Sequence, residues 1–190
     1  MSVPEVDEMV FDLNEEMIKT IGDEFNVQDL AGKFAESVKD KSGDAKDKTA
    51  EEIFGQYGIQ WMKRTMELGK KHSDTTYETT KKFIEKTGCM YFPLVPQRFV
   101  EIAYLSTQEI FTLPIVQNNG ENLTYKLAMC STFKAVKDRC GEETANSLPC
   151  KHACLGALET LYKNLDIAVT LGMEATMPKD DYCQFSATKK

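Results

Sequence analysis

Two cysteines near the C-terminus have a spacing that suggests chemistry. Cys150 and Cys154 are four residues apart in a segment that is predicted to be helical from about Pro149 to Asn164, so both thiols lie on one face of the helix. At a helix start the dipole favours the thiolate, which is the form of cysteine that binds metal ions or attacks electrophiles. The pattern therefore predicts a reactive or metal-binding pair of sulfurs.

A third sulfur and a carboxylate are expected to join this pair. Strands over residues 167–176 and 182–187, joined by a turn over 177–181, predict a hairpin that returns Cys183 toward the helix. Glu174, on the first of these strands, is the nearest carboxylate able to complete the set. Cysteine sulfurs and one carboxylate suit tetrahedral Zn²⁺. The predicted zinc site consists of Cys150, Cys154, Glu174 and Cys183.

The cysteine pattern is also compatible with other roles. Cys150 or Cys154 is a candidate catalytic nucleophile, with zinc-activated water as the alternative. Candidate general bases are Asp181, its neighbour Asp180 and Glu174. Inert buried thiols and a disulfide or redox pair remain open as interpretations. An iron–sulfur cluster would need a fourth cysteine, for which the sequence offers Cys140 or Cys130.

Histidine-centred and nucleotide-binding motifs are missing from the sequence. There is no Gly-rich phosphate loop, no G-x-S-x-G elbow and no H-E-x-x-H, and the chain has 2 histidines. His152 lies two residues from both Cys150 and Cys154, so on a helix it points away from them. His72 is predicted to be solvated at a helix end.

Composition and charge limit the functional class. The chain has 190 residues, is 42% apolar and 28% charged, and carries a net charge of −7. These values are typical of a globular protein and argue against a nucleic-acid-binding surface, which needs a basic stripe. No apolar run approaches the roughly 18 residues of a membrane span, and no signal peptide is visible. We therefore expect a cytoplasmic protein without a membrane partner.

Two parts of different character follow each other along the chain. Residues 1–48 contain 13 acids and 6 bases, whereas residues 49–190 contain 17 of each sign. Apolar spacing in the first part predicts two amphipathic helices, an acidic hairpin that packs on the main domain or forms a homodimer. Residues 39–48 are predicted to be a solvated linker, and a capping box from Thr49 to Glu52 is predicted to open the main domain.

The second part is predicted to have helices first and strands later. Helices are expected to about Lys71, from Ser73 or Asp74 to Gly88, over 131–140 and over 149–164, with an extended segment over 90–96. Residues 98–105 are compatible with strand or helix. Strands are predicted over 110–116, 123–129, 167–176 and 182–187. The predicted fold class is α+β, with N-terminal helices packed on a mostly antiparallel sheet that encloses a small-molecule pocket.

Three C-terminal segments carry a resemblance to known families. They are Cys150-Lys-His-Ala-Cys-Leu-Gly-Ala-Leu-Glu159, Val169-Thr-Leu-Gly-Met-Glu174 and Asp180-Asp-Tyr-Cys-Gln-Phe185. The combination resembles the C-terminal signature of the vinyl-4-reductase domain superfamily, and is similar to the L-2-amino-thiazoline-4-carboxylic acid hydrolase-like proteins. The resemblance covers about residues 50–187, with specific motifs only in the last 40 residues.

The resemblance implies helices against an antiparallel sheet around a small-molecule pocket. Members include ligand-sensing modules, tetrapyrrole-pathway proteins and ring-opening hydrolases. In sensing members a cysteine before the helix, a Glu on the penultimate strand and two later cysteines hold zinc. Cys150 or Cys154, Glu174 and Cys183 match three of these positions; the fourth falls near Met177, a poor zinc ligand, for which the second helix cysteine is a substitute.

Three functional classes follow from these observations. The first is a hydrolase-type enzyme acting on a small heterocyclic or thiol-containing substrate. The second is a non-catalytic carrier or sensor of a small hydrophobic ligand or tetrapyrrole with a structural metal, and the third is an interaction protein that uses its acidic hairpin. Aromatic and methionine side chains are expected to surround the ligand. These are Phe92, Tyr104, Phe111, Tyr125, Met129, Phe133, Tyr162 and Met173.

Overall fold

The computed structural model describes residues 13–88 and 91–190, which form an α+β fold. Helices surround a four-stranded antiparallel sheet with the strand order β1-β2-β4-β3. The helices are α1 (Glu15–Glu24), α2 (Val27–Ser37), α3 (Asp44–Lys71), α4 (Thr75–Thr87), α5 (Tyr91–Thr107), α6 (Ser131–Cys140), α7 (Glu142–Asn146), α8 (Lys151–Asn164) and α9 (Met177–Asp180). The strands are β1 (Ile115–Asn118), β2 (Asn122–Leu127), β3 (Val169–Ala175) and β4 (Cys183–Lys189). None of these helices combines the length and apolarity needed to cross a membrane.

The N-terminal helices contribute to both parts of the core. Met17 and Ile21 of α1 are fully buried in the larger apolar cluster, beside α5 and the second half of α3. Leu30 and Phe34 of α2 belong to a second cluster that includes α6. The two predicted helices are confirmed over the described residues; their predicted beginning in residues 1–12 lies outside them.

The start of α3 differs from the prediction. Residues 44–48 were expected in a solvated linker, but α3 begins at Asp44, after Gly43 with φ +52°. Thr49 is therefore inside the helix and buried, and its hydroxyl donates to the backbone oxygen of Ala45 at 2.8 Å instead of capping a helix. Asp44 and Asp47 in the first turn favour a helix start, because their charges complement the positive end of the dipole. Because residues 44–48 contain no large apolar side chain, the exposed first turn of α3 has no helical pattern in the sequence.

Helix α4 has the predicted boundaries. The Asp74 carboxylate accepts a hydrogen bond from the backbone N–H of Tyr77 at 2.7 Å, which is an N-cap contact. Gly88 ends the helix in the left-handed conformation, where glycine has no Cβ penalty.

The segment after α4 is helical where an extended chain was expected. Helix α5 runs from Tyr91 to Thr107 with non-helical angles at Phe92, and the Phe92–Pro93 peptide bond is cis. Phe92 is extended, as expected for a residue before proline, and it separates Tyr91 from the continuous helix that begins at Pro93. Pro93 and Pro96 therefore lie in the first turn of that helix, where backbone N–H groups need no partner within the helix. The 98–105 segment is helix and not strand. Residues 110–114 lie outside β1, and Phe111 is 99% exposed.

The last strand, β4, lies inside the sheet, between β2 and the edge strand β3. β4 pairs with β2, with Leu127 opposite Cys183, and also with β3, with Met173 opposite Phe185. A bulge interrupts the β3–β4 ladder between Met173 and Ala175. The predicted turn between these strands contains the short helix α9.

Helices α3 and α8 cross at very close range. A Cβ built on Gly58 would lie 2.0 Å from the backbone oxygen of Ala153, and one built on Gly156 would lie 3.2 Å from the backbone oxygen of Gly55. Glycine at these positions therefore lets the two backbones touch. Through this contact the N-terminal half of α8, which carries Cys150 and Cys154, packs directly against α3.

Substitution of Gly58 by alanine tests this crossing. We expect G58A to lower the free energy of unfolding by about 1–3 kcal/mol or more, because the added methyl requires the helices to separate. The matched control is G55A on the same helix, where a Cβ meets nothing within 4 Å, and alanine is expected to raise stability by about 0.5–1 kcal/mol. Urea denaturation of both variants measures the difference. Equal stabilities would contradict the proposed contact.

Candidate functional site

Four cysteines border one internal cavity between α3, α5, α8 and the sheet. Cys130, Cys150, Cys154 and Cys183 all line it, although they come from three separate stretches of the chain. The cavity is also lined by Tyr57, Trp61, Tyr104, Gln108, Leu127, Thr132, Leu148, Lys151, Ala153, Met173 and Phe185. The predicted hairpin thus returns Cys183 to the mouth of the helix that carries Cys150 and Cys154.

Each sulfur is positioned by the end of a structural element. Cys130 is the N-cap of α6, and its Sγ accepts a hydrogen bond from the backbone N–H of Phe133 at 3.3 Å. Cys150 is the N-cap residue of α8, Cys154 lies one turn later, and Cys183 begins β4. All are free thiols. The site therefore depends on how α6, α8 and β4 meet, and not on one local motif.

Glu174 does not join the sulfurs. It is exposed, and its carboxylate accepts a hydrogen bond from the side chain of Gln184. Its neighbour on β3, Met173, faces the cavity instead. The bulge between Met173 and Ala175 makes Glu174 the extra residue of the strand, and its side chain lies on the exposed surface. The predicted zinc ligand set is not assembled.

No metal-ligand group is arranged within residues 13–88 and 91–190. No three His, Cys, Asp or Glu side chains there are grouped so as to hold a metal ion. The four cavity sulfurs line one cavity without forming such a group in this conformation.

The thiols are protonated, contrary to the predicted thiolates. Burial raises the pKa of Cys130 to about 11 and holds the pKa values of Cys150 and Cys154 well above the usual range of a thiol. The neighbouring sulfurs act in the same direction, since a second thiolate beside the first is unfavourable. Burial also raises the pKa of Cys183. Desolvation of the charged form outweighs the helix dipole at these positions.

The predicted acid–base partners lie elsewhere. Asp181 is exposed at the C-cap of α9 and does not line the cavity. Its neighbour Asp180 accepts a hydrogen bond from the backbone N–H of Thr176 at 2.9 Å. His152 lies on a different side of α8, next to surface residues that include Glu51. Among residues 13–88 and 91–190, no carboxylate or imidazole thus lines the cavity beside the thiols.

Aromatic side chains form one wall of the cavity. Trp61 is 2% exposed and packs edge-on against Tyr104, with ring centroids 5.3 Å apart. The Tyr104 hydroxyl contacts the Cys154 thiol and accepts a hydrogen bond from the Tyr125 hydroxyl at 3.2 Å. The indole N–H of Trp61 has no hydrogen-bond partner among the described residues. A buried donor without an acceptor is costly, so a ligand that supplies an acceptor would be stabilised here.

The size of the cavity limits what it holds. Its volume is about 20 Å³, which is close to the minimum of roughly 10–15 Å³ that one water molecule needs. The lining is almost wholly apolar, so a water molecule would find few of the polar partners that it requires. The space suits a group of one to a few heavy atoms.

The aromatic and methionine residues that were expected around a ligand lie in different parts of the structure. Tyr104 and Met173 line the cavity. Phe111 and Met129 are exposed, at 99% and 64%. The remaining members are packed within the protein away from the cavity lining: Phe92, Tyr125, Phe133 and Tyr162.

Several cavity residues were not predicted as site residues. The sequence offers Cys130 only as a fourth cysteine for a cluster, and Tyr57 and Trp61 carry no site prediction. The signal for Cys130 is its position three residues after Leu127, which is the partner of Cys183 in the β2–β4 register. That register depends on the pairing of distant strands and cannot be read from local spacing.

Comparisons with known proteins do not assign the chain to a family. No protein-family model and no curated protein match it. Two solved structures have weak similarity. One, from work on heme distortion in the H-NOX family, is 13% identical with a TM-score of 0.30, and the match covers 92% of this chain and 91% of that one. The other, a point mutant of T. tengcongensis H-NOX, is 14% identical with a TM-score of 0.29, covering 92% and 94%. Likeness at these TM-scores does not show a shared fold.

The order of thiol alkylation tests the protonated state of the site. We expect iodoacetamide at pH 8 to modify Cys140, which is only partly buried, at least tenfold faster than Cys150 or Cys154, because the two cavity thiols are buried and their pKa values are raised. Peptide mapping by mass spectrometry measures each rate, and the denatured chain is the control in which the rates converge. Faster labelling of Cys150 or Cys154 in the folded protein would restore the nucleophile hypothesis.

Proposed function

We propose that the protein is a non-catalytic binding module that holds a small apolar ligand in the thiol-lined cavity. The observation that carries this proposal is the convergence of four sulfurs and several aromatic rings on one buried space. Binding sites of this kind are concave and mostly apolar, with a few polar groups that fix orientation. The Trp61 indole N–H has no partner among the described residues, whereas the side chains of Gln108 and Thr132 already bond to each other.

The protonation of the thiols supports binding over hydrolysis. A cysteine nucleophile needs a thiolate and normally an adjacent base. Burial raises the pKa values of Cys150 and Cys154, and the described residues that line the cavity include neither histidine nor carboxylate. Neutral thiols are, by contrast, good apolar contacts for a ligand.

The cavity volume defines the ligand class. About 20 Å³ of space accommodates a group of one to a few heavy atoms, whereas a tetrapyrrole is far larger. We therefore restrict the proposal to compact apolar molecules, with a hydrogen-bond acceptor directed to Trp61 as the polar contact. The carrier or sensor role predicted from the sequence is retained, without its tetrapyrrole option.

Fluorescence of Trp61 under xenon pressure tests this proposal. Trp61 is the single tryptophan of the chain and lines the cavity, and xenon is a compact apolar probe that enters dry cavities and quenches indole emission. We expect saturable quenching in the wild-type protein, and its loss in C183V, because the larger side chain takes up the space and valine suits a strand. Argon at the same pressure is the control gas.

The matched control variant is C140V, since Cys140 does not line the cavity. It is expected to retain saturable quenching. Quenching that rises linearly with pressure and is equal in C183V and C140V would contradict a ligand-accepting cavity.

Zinc binding by the cavity thiols is a second candidate function. It is favoured by one observation, the presence of Cys130 beside the other three sulfurs, which offers a fourth soft ligand in place of Glu174. Zinc would displace the thiol protons. This candidate requires the sulfurs to turn toward a common centre, because no such group is arranged in the described residues.

Metal analysis of anaerobically purified protein separates the two candidates. If zinc is the ligand, we expect about one equivalent per chain in wild type and in C140S, and at least a tenfold lower occupancy in C130S. Inductively coupled plasma mass spectrometry gives the stoichiometry. Less than a tenth of an equivalent in wild-type protein would reject zinc and leave the apolar ligand.

A further inference from the structure

We propose that Arg98 forms a second binding site, for a small carboxylate, between α4 and α5. The Arg98 side chain is only 10% exposed. Its Nη1 donates to the carboxylate of Asp74. Its Nε and Nη2 have no hydrogen-bond partner among residues 13–88 and 91–190, although both atoms are buried. This site does not depend on the thiol cavity, with which it shares no lining residue.

The two unpaired nitrogens define the shape of the missing partner. The N–H groups on Nε and Nη2 of an arginine lie on one edge of the planar guanidinium and point in the same direction. Two coplanar oxygens with the spacing of a carboxylate accept both hydrogen bonds at once. A single acceptor atom such as a water oxygen would accept both hydrogen bonds at less favourable angles.

Neighbouring residues fix the guanidinium in this orientation. Asp74, which holds Nη1, is itself fixed as the N-cap of α4 by the backbone N–H of Tyr77 at 2.7 Å. The Tyr77 ring lies 4.6 Å from Cζ of Arg98, which is a cation–π contact. These contacts hold the guanidinium in place. Because Nε and Nη2 are both buried, side chains at the cavity wall must move slightly before a carboxylate can reach them.

A cavity of about 100 Å³ adjoins Arg98. That volume is sufficient for a short carboxylic acid. Its walls include the hydroxyl-bearing side chains of Thr76 and Thr80 and the apolar side chain of Leu94. The combination suits a carboxylate head with a short apolar tail.

The nearby acid of α5 is already engaged. Glu101 lines the same cavity, but its Oε1 accepts a hydrogen bond from the side chain of Gln97 at 2.8 Å. Gln97 in turn accepts a hydrogen bond from the Asn118 side chain. Burial raises the pKa of Glu101, while the hydrogen bond from Gln97 and the charge of Arg98 act in the opposite direction. Glu101 therefore accepts no hydrogen bond from Nε or Nη2 of Arg98.

Titration of the full-length ¹⁵N-labelled protein with sodium propionate tests the site. We expect a saturable downfield shift of the Arg98 Nε–H resonance in the NMR spectrum, with shifts of backbone amides confined to α4 and α5. Sodium chloride at the same ionic strength is the control for screening. If the wild-type protein shows no saturable shift at up to tens of millimolar propionate, that result by itself overturns the proposal.

Two conservative variants locate the effect. R98K keeps the charge but removes the paired N–H donors of Nε and Nη2. We therefore expect the affinity for propionate to fall about tenfold or more. R64K is the matched control, because Arg64 uses Nε and Nη2 on Glu24 and Nη1 on Glu67; its affinity should equal that of wild type. Unchanged affinity in R98K with an intact fold by circular dichroism would overturn the assignment to Arg98, as would an equal loss in R64K.

Discussion

The close crossing of α3 and α8 is the constraint on which the candidate site depends. Gly58 lets the α3 backbone touch α8 at Ala153, and Ala153 is the residue before Cys154. The neighbours of Gly58 on the same helix, Tyr57 and Trp61, therefore face the thiols across the cavity. A wider helix separation would open the cavity to solvent and remove the burial that keeps the sulfurs protonated.

Burial and the helix dipole act in opposite directions on the thiols, and their magnitudes decide the outcome. A helix N-terminus stabilises a negative charge by about 0.3–1 kcal/mol, which is less than one pKa unit. Full burial shifts a pKa by up to about 3–5 units. Cys150 is buried at the start of α8, so desolvation prevails and its pKa is raised. A sequence reveals a helix start, but it does not reveal the depth at which that start is buried.

Local rules predicted the helices better than the site. The Asp74 cap and the Gly88 terminus of α4, and the pairing of β3 with β4 around Cys183, follow from short-range chemistry. The exposed position of Glu174 was not predicted. It results from a bulge in β3, which interrupts the alternation of side chains between the two faces of the strand. The start of α3 at Asp44 was also missed, since exposed polar turns carry no apolar period. The contribution of Cys130 depends on long-range strand register, which no local pattern contains.

Helix α5 connects the two candidate sites because it presents different faces to each. Tyr104 closes the thiol cavity, whereas Arg98, six residues earlier, lines the cavity beside α4. Six residues correspond to about 600° of rotation, so the two side chains lie roughly 120° apart around the helix axis. The apolar face is held by the main core, where Phe99 and Ile102 are fully buried. The charged face needs Asp74 and Tyr77 of α4, because a buried arginine without partners is strongly destabilising. Apolar packing thus determines the thiol cavity, whereas a small number of polar contacts determines the Arg98 site.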